Sequence, residues 1–394
     1  MKRIIIFLIL LVAFFPIQTF CVLADDTTTD DIRQEMSENI QNQIDNFEFS
    51  ELDKILGNFS SDEASIFGSS SFMEKLNSIL NGEFKDGYGD LLSAVFSLLL
   101  EDVLSFIPLL CTIIAIVILG GFISNLKSSF GSKSIGDVVH FVCFGVVIVL
   151  TSSCVIEVIG ITTAVLDSMK TQMEIIFPIL LTLMTALGGT VSVGVFQPAI
   201  VLLSNGIVQL FSNVIVPLFT LTFVFTIVQN ISSTIKLEKF TSFFSSAFKW
   251  IIGIIFTVFF AFLSIQGIVA SSYDGISIRM AKYTIKSYVP IMGGHLSDGF
   301  DLILGSSVLI KNALGATGLF LMMVSILAPL IKIIVLIFGF KLISAVLEPI
   351  TDSRISSFLH SVSKALTMLV ACILGVAFMY FLTVGLIMCT CNVV

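Results

Sequence analysis

From about Val103 onward the chain is a succession of apolar runs of about twenty residues or more, separated by short polar segments that hold most of the charge. Backbone in lipid has to satisfy its own N–H and C=O groups, so runs of this kind dictate membrane-spanning helices. A soluble enzyme is excluded. Of 394 residues, 56% are hydrophobic and only 12% charged, and the mean hydropathy of +1.05 lies outside the range of soluble globular domains. The expected fold class is all-α, a polytopic helical membrane protein.

A first span covers about 103–124 and a second about 138–160. The loop between them carries Lys127 and Lys133, which the positive-inside rule places in the cytoplasm. The next run, 175–230, is too long for one helix and carries Pro178, Gly188-Gly189, Gly194, Pro198 and Pro217, so two or three short or re-entrant segments are expected. Residues 250–270 form a clean span; 313–347 is again oversized and interrupted by Pro329 and Lys332; 364–388 closes the series. The sum is about seven to nine crossings with two broken regions. Lys236, Lys239 and Lys249 in one loop compete with Arg279, Lys282 and Lys286 in another for the cytoplasmic side. Residues 276–289 fit equally an amphipathic helix on the membrane surface and a solvated basic loop.

Lys2 and Arg3, an apolar run from Ile4 to Phe15, Pro16 and then Val22-Leu23-Ala24 read as a signal peptide over 1–24, cleaved after Ala24; an uncleaved first membrane helix is the alternative. Residues 25–90 hold 16 acidic and 4 basic side chains, whereas 91–394 hold 12 and 14. The acidity thus belongs to one extracytoplasmic N-terminal segment, which nucleic acid and anionic lipid repel, so no nucleic-acid partner is expected. Ile40, Ile44 and Phe47, and then Phe72, Met73, Leu76, Ile79 and Leu80, mark short helical faces resting on the membrane or on a partner. A loose spacer is the competing reading. The remainder, 91–394, is the polytopic membrane domain.

Within it an internal repeat is expected, with copies over 175–270 and 288–390. Phe223 and Phe225 match Phe338 and Phe340, and Ser242-Phe243, Ser246 and Lys249 match Ser357-Phe358, Ser361 and Lys364 at one constant offset. Repeated broken helices are a transporter and channel device; chance similarity in a Phe-, Ser- and Ile-rich chain competes with this reading.

No Gly-x-x-x-x-Gly-Lys phosphate loop is present, and His140, His295 and His360 are far apart and outside any zinc or protease pattern. No catalytic, cofactor-binding or metal residue is expected, and the chain reads as a non-enzyme without a cofactor. The cysteines lie mainly in apolar runs and read as small membrane-helix residues. The informative charges are those inside apolar segments: Lys341, Glu348 seven residues on, and Glu157 late in the second span. A charge at membrane depth needs a partner, water or an interface to reach. Lys341 is expected to pair with an acid or to snorkel. Small residues at Gly120-Gly121, Gly188-Gly189 and Gly315 to Gly318 fit close helix approach and kinks equally.

The stretch Val289-Pro290-Ile291-Met292-Gly293-Gly294, then Leu296-Ser297-Asp298, Ser306 to Gly315 (Ser-Ser-Val-Leu-Ile-Lys-Asn-Ala-Leu-Gly), and Glu348 to Arg354 (Glu-Pro-Ile-Thr-Asp-Ser-Arg) resembles the stage III sporulation protein AE family. The likeness runs in order over nearly the whole mature chain. It implies a protein of endospore-forming bacteria, placed in the mother-cell membrane around the forespore with its N-terminal segment in the intermembrane space. It also implies a membrane component of a secretion-like channel complex, with other stage III proteins, a secretion-type ATPase and ring-forming subunits as partners. The matched residues Pro290, Gly293, Gly294, Asp298, Lys311, Asn312, Pro349, Asp352 and Arg354 are then the candidates for architecture or subunit contact.

Three readings remain at this stage. The first is a subunit of a multi-protein channel driven by a partner. The second is a stand-alone secondary transporter, and the third a non-conducting membrane scaffold.

Overall fold

The structure, a computed structural model, describes residues 39–44, 47–59, 61–68, 71–80, 88–127, 133–231, 237–288, 293–349 and 353–390. The expected signal segment with Ala24, and Pro290 and Asp352, lie outside the described residues. Asp298 falls in a helix whose side chains are not described there.

Every regular element among the described residues is helical. After a helical segment at 39–44 come three short helices, α1 (Ser50–Gly57), α2 (Ser61–Phe67) and α3 (Phe72–Leu80). Gly68, at φ 75°, ends α2 by adopting the left-handed conformation that glycine tolerates. The remaining helices follow: α4 (Tyr88–Lys127), α5 (Lys133–Ala186), α6 (Thr190–Val201), α7 (Val208–Leu210), α8 (Val216–Ile231), α9 (Glu238–Tyr288), α10 (Gly293–Leu347) and α11 (Ser353–Cys389).

Six of these stretches are long and apolar enough to cross a membrane. Three of them are 42, 46 and 47 residues long. At 1.5 Å per residue each exceeds the roughly 30 Å hydrocarbon layer about twofold. The number of helices is therefore not the number of crossings.

The two regions expected to be broken behave differently. In the first, Pro178 sits inside α5, and the break comes at Leu187-Gly188-Gly189, with Gly188 at φ 76°. The rod that follows carries two π-helical segments, Leu202–Ile207 and Phe211–Ile215, on either side of α7. Ser204 Oγ donates to the carbonyl of Ile200 at 2.8 Å, and Pro217 withholds an N–H and crowds the carbonyl one turn back. Both disturb the regular ladder. The second region departs from expectation, because α10 runs without interruption from Gly293 to Leu347 through Pro329 and Lys332. Neighbouring helices enclose α10, and a single missing hydrogen bond is tolerated there.

Burial ranks the helices. In its most apolar window α11 is 72% buried and α10 is 61%, against 17% for α4 and 22% for the first part of α9. The α10–α11 hairpin is the core, and the others present Leu104, Ile118, Phe141, Val149, Phe243, Trp250 and Ile254 outward. Gly315 and Gly318 act in close approach and not in kinks. A Cβ at Gly315 would lie 2.7 Å from Met388 Cγ, and one at Gly318 would lie 2.7 Å from Ile176 Cδ1.

The short N-terminal helices form a cap rather than a loose spacer. Ile44, Leu52, Phe67, Phe72 and Leu76 are fully buried. The α3 N-terminus is held across helices, with Asp53 Oδ1 accepting from the backbone N–H of Phe72 at 2.8 Å. The cap sits on α10: Phe67 packs on Phe320 with ring centres 5.7 Å apart, Lys75 lies 4.8 Å over the Phe320 ring, and Ser307 Oγ donates to Gln43 Oε1 at 3.0 Å.

Two helix boundaries inside the expected repeat recur at nearly one offset, whereas the helix ends that follow, Tyr288 and Cys389, do not. Helix α9 starts at Glu238 and α11 at Ser353, an offset of 115, and the helices before them end at Ile231 and Leu347. Their interiors differ, since the first copy carries the π-helical segments and the second does not.

Candidate functional site

Along α10, Lys311, Gly318, Ser325, Lys332 and Gly339 follow one another at intervals of seven. A seven-residue stripe drifts about 20° per repeat around a straight α-helix, so it turns from one neighbouring helix to the next. Lys311 meets α11, where its Nζ donates to the carbonyl oxygen of Thr390 just past the helix end. Gly318 and Ser325 meet α5, and Ser325 Oγ accepts from Gln172 Nε2 at 3.0 Å. Lys332 pairs with Glu157 of α5 at 2.7 Å. Gly339 meets α4, where a Cβ would lie 2.7 Å from Phe106 Cε1.

The stripe is a polar seam through the bundle. Its neighbourhood holds buried oxygens that no described residue satisfies: Gln172 Oε1, Tyr380 OH and Asn312 Oδ1. Tyr380 is fully buried between Phe177 and Gly318. Buried polar atoms of this kind are the ones that single ordered waters satisfy in protein interiors.

At the Lys332 level the seam opens sideways into a cavity of about 360 Å3 between α4, α5 and α10. Asp102, Ser105, Cys154, Glu157 and Lys332 supply its polar wall, and Phe106, Leu109, Val335 and Leu336 its apolar wall. Asp102 lies within electrostatic reach of Lys332. The arrangement can hold a cation or a hydrogen-bonded chain. Among the described residues no group of His, Cys, Asp and Glu is placed to hold a metal ion.

Two sequence candidates enter this site. Glu157 is a partner in the ion pair, but its cation is Lys332, which the sequence reading treated as an interruption. Lys311 is fully buried and caps α11, with Asn312 beside it. Lys341 is half-buried on α10 outside the stripe, and Glu348, Pro349 and Arg354 lie exposed around the turn that joins α10 to α11. Gly293 and Gly294 begin α10. Asp102 was missed. Its signal is its place within the Ser93–Gly120 span, together with the sevenfold spacing that singles out Lys332.

The model of the stage III sporulation protein AE family matches residues 70–391, from α3 through the last turn of α11. This chain belongs to that family. A relative from Bacillus subtilis (strain 168), "Stage III sporulation protein AE", is 28% identical over 345 residues, covering 87% of this chain and 86% of the relative. No solved structure matches. Family membership carries a role in sporulation, and the six apolar helices fit an integral membrane protein.

Proposed function

We propose that the chain is a membrane subunit of a secretion-like channel complex linking mother cell and forespore during endospore formation. It works with other stage III sporulation membrane proteins, a secretion-type ATPase and ring-forming subunits, and is not itself an enzyme. It sits in the mother-cell membrane around the forespore, its signal peptide is removed after Ala24, and the acidic 25–90 segment faces the intermembrane space. The observation that carries this reading is the closeness of the α10–α11 core. At Gly315 and Gly318 there is no room for even one added carbon without displacing Met388 or Ile176. A packed interior of this kind favours a subunit that contributes its surface to an assembly over one that conducts alone.

One observation favours the second reading, a secondary transporter: the recurrence of helix boundaries at an offset of 115 fits repeats over 175–270 and 288–390. The two readings separate by experiment. Full-length tagged chain isolated from sporulating cells after mild cross-linking should bring down an ATPase-containing complex. A chain that purifies alone, and alone takes up substrate into liposomes, makes it a transporter. Cysteines placed along 289–312 and probed with a membrane-impermeant thiol reagent report whether this stretch meets water in the middle, as a conduit requires, or is protected throughout, as a scaffold requires.

A further inference from the structure

The notch between α4, α5 and α10 holds more negative charge than its own lysine balances. Asp102 and Glu157 face Lys332 across one cavity, and among the described residues Lys332 is the only cation lining it. Glu101, exposed beside Asp102, adds to the excess. All nine lining residues lie within stretches long and apolar enough to cross a membrane. The same helices carry outward-facing aliphatics near its level: Leu104 is 63% exposed, Ile107 42% and Ile156 67%. A surface of that kind faces acyl chains or another membrane helix, and an unbalanced carboxylate there needs a partner.

We propose that the notch seats a lysine or arginine carried on a transmembrane helix of another subunit, whose cation completes the charge balance of Asp102 and Glu157. The polar wall takes the cationic head. Phe106, Leu109, Val335 and Leu336 take the apolar stem and the neighbouring turn of the incoming helix. Lys332 holds Glu157 in place and sets how much negative charge remains for the partner. The proposal rests on the assembly reading above and names the chemistry of one contact in it.

Cys154, which lines the notch, provides the test. The unaltered full chain is reconstituted in liposomes with a synthetic membrane-spanning peptide bearing a central Lys and a Cys one turn away. A second peptide has Met in place of Lys. With copper–phenanthroline and dissolved oxygen as the oxidant, disulfide formation with Cys154 is quantified by mass spectrometry, with exposed Cys111 on α4 as the internal control. The Lys peptide should cross-link to Cys154 about five- to tenfold more than the Met peptide, the range an interhelical polar contact in a membrane supports. No such preference should appear at Cys111. Asp102→Asn with Glu157→Gln should bring the Lys peptide down to the Met level. Because the main comparison uses the unaltered chain, a misfolded variant does not void it. Equal cross-linking by the two peptides overturns the proposal. A chain that co-purifies with an ATPase complex but shows no Lys preference sinks only the notch, not the assembly.

Discussion

Lys311, fully buried on α10, donates from its ammonium group to the carbonyl oxygen of Thr390, immediately beyond the end of α11. The last carbonyls of a helix lack intrahelical partners and carry the negative end of its dipole, so a buried cation there satisfies two needs together. At the opposite end of the same hairpin, Ser344 Oγ donates to the carbonyl of Ser356, and Ser356 Oγ donates to the carbonyl of Ser344, each at 2.9 Å. The core hairpin is thus pinned at both ends.

Lys311→Ala should release the end of α11. A hydrogen bond from a charged donor contributes about 1.5–3 kcal/mol, so amides in the last turn of α11 should exchange roughly 10- to 100-fold faster. Unchanged exchange near Thr390 would mean that the contact carries no stability.

Gly318→Val should destabilise the bundle by about 1–3 kcal/mol through overpacking against Ile176, and Ile176→Ala in the same chain should restore part of the loss. Gly253→Ala on α9, where an added Cβ meets nothing within 4 Å, should be neutral or gain about 0.5–1 kcal/mol from helix propensity. Thermal unfolding in detergent distinguishes the two sites, and equal effects would contradict the packing assigned to Gly318.

Removing the two partners of the seam's ion pair should not be equivalent. Glu157→Gln leaves Lys332 with Asp102 nearby, whereas Lys332→Met leaves two carboxylates lining one cavity with no cation there among the described residues. The lysine variant should therefore melt lower and accumulate less in membranes; the reverse order would show that Asp102 takes no part.

Lys75→Ala should loosen the cap. Its ammonium sits over the Phe320 ring of α10, a contact on the order of 0.5–2 kcal/mol. Limited proteolysis should then cut the 39–80 region faster while α10 and α11 stay intact. Unaltered cutting would place the holding contacts elsewhere.

Composition and run length sufficed for the class of fold, because a backbone in lipid has few choices. The motif Val308-Leu309-Ile310-Lys311-Asn312 drew notice, but its role did not, since Thr390 lies 79 positions away and only the antiparallel hairpin brings it back. Pro329 misled because a proline inside a helix enclosed by neighbours breaks one hydrogen bond and not the helix. Glu157 was visible as a charge in an apolar run, but nothing in the sequence singled out Lys332 as its partner. Lys332, three residues after Pro329, read as an interruption of the apolar run, while Lys341 stood in cleaner surroundings. The spacing of 311, 318, 325, 332 and 339 was present in the sequence throughout. It becomes meaningful once α10 is known to be continuous, because a seven-residue stripe requires an unbroken helix.

Cys372 tests the central claim most directly, because it lies fully buried in α11 and is native to the chain. In membranes containing the assembled protein, a small water-soluble methanethiosulfonate reagent should modify the exposed Cys389 and leave Cys372 unreacted until the protein is denatured. Modification of Cys372 in the native state, at a rate near that of Cys389, would place water inside the core and contradict a subunit that works through its surface.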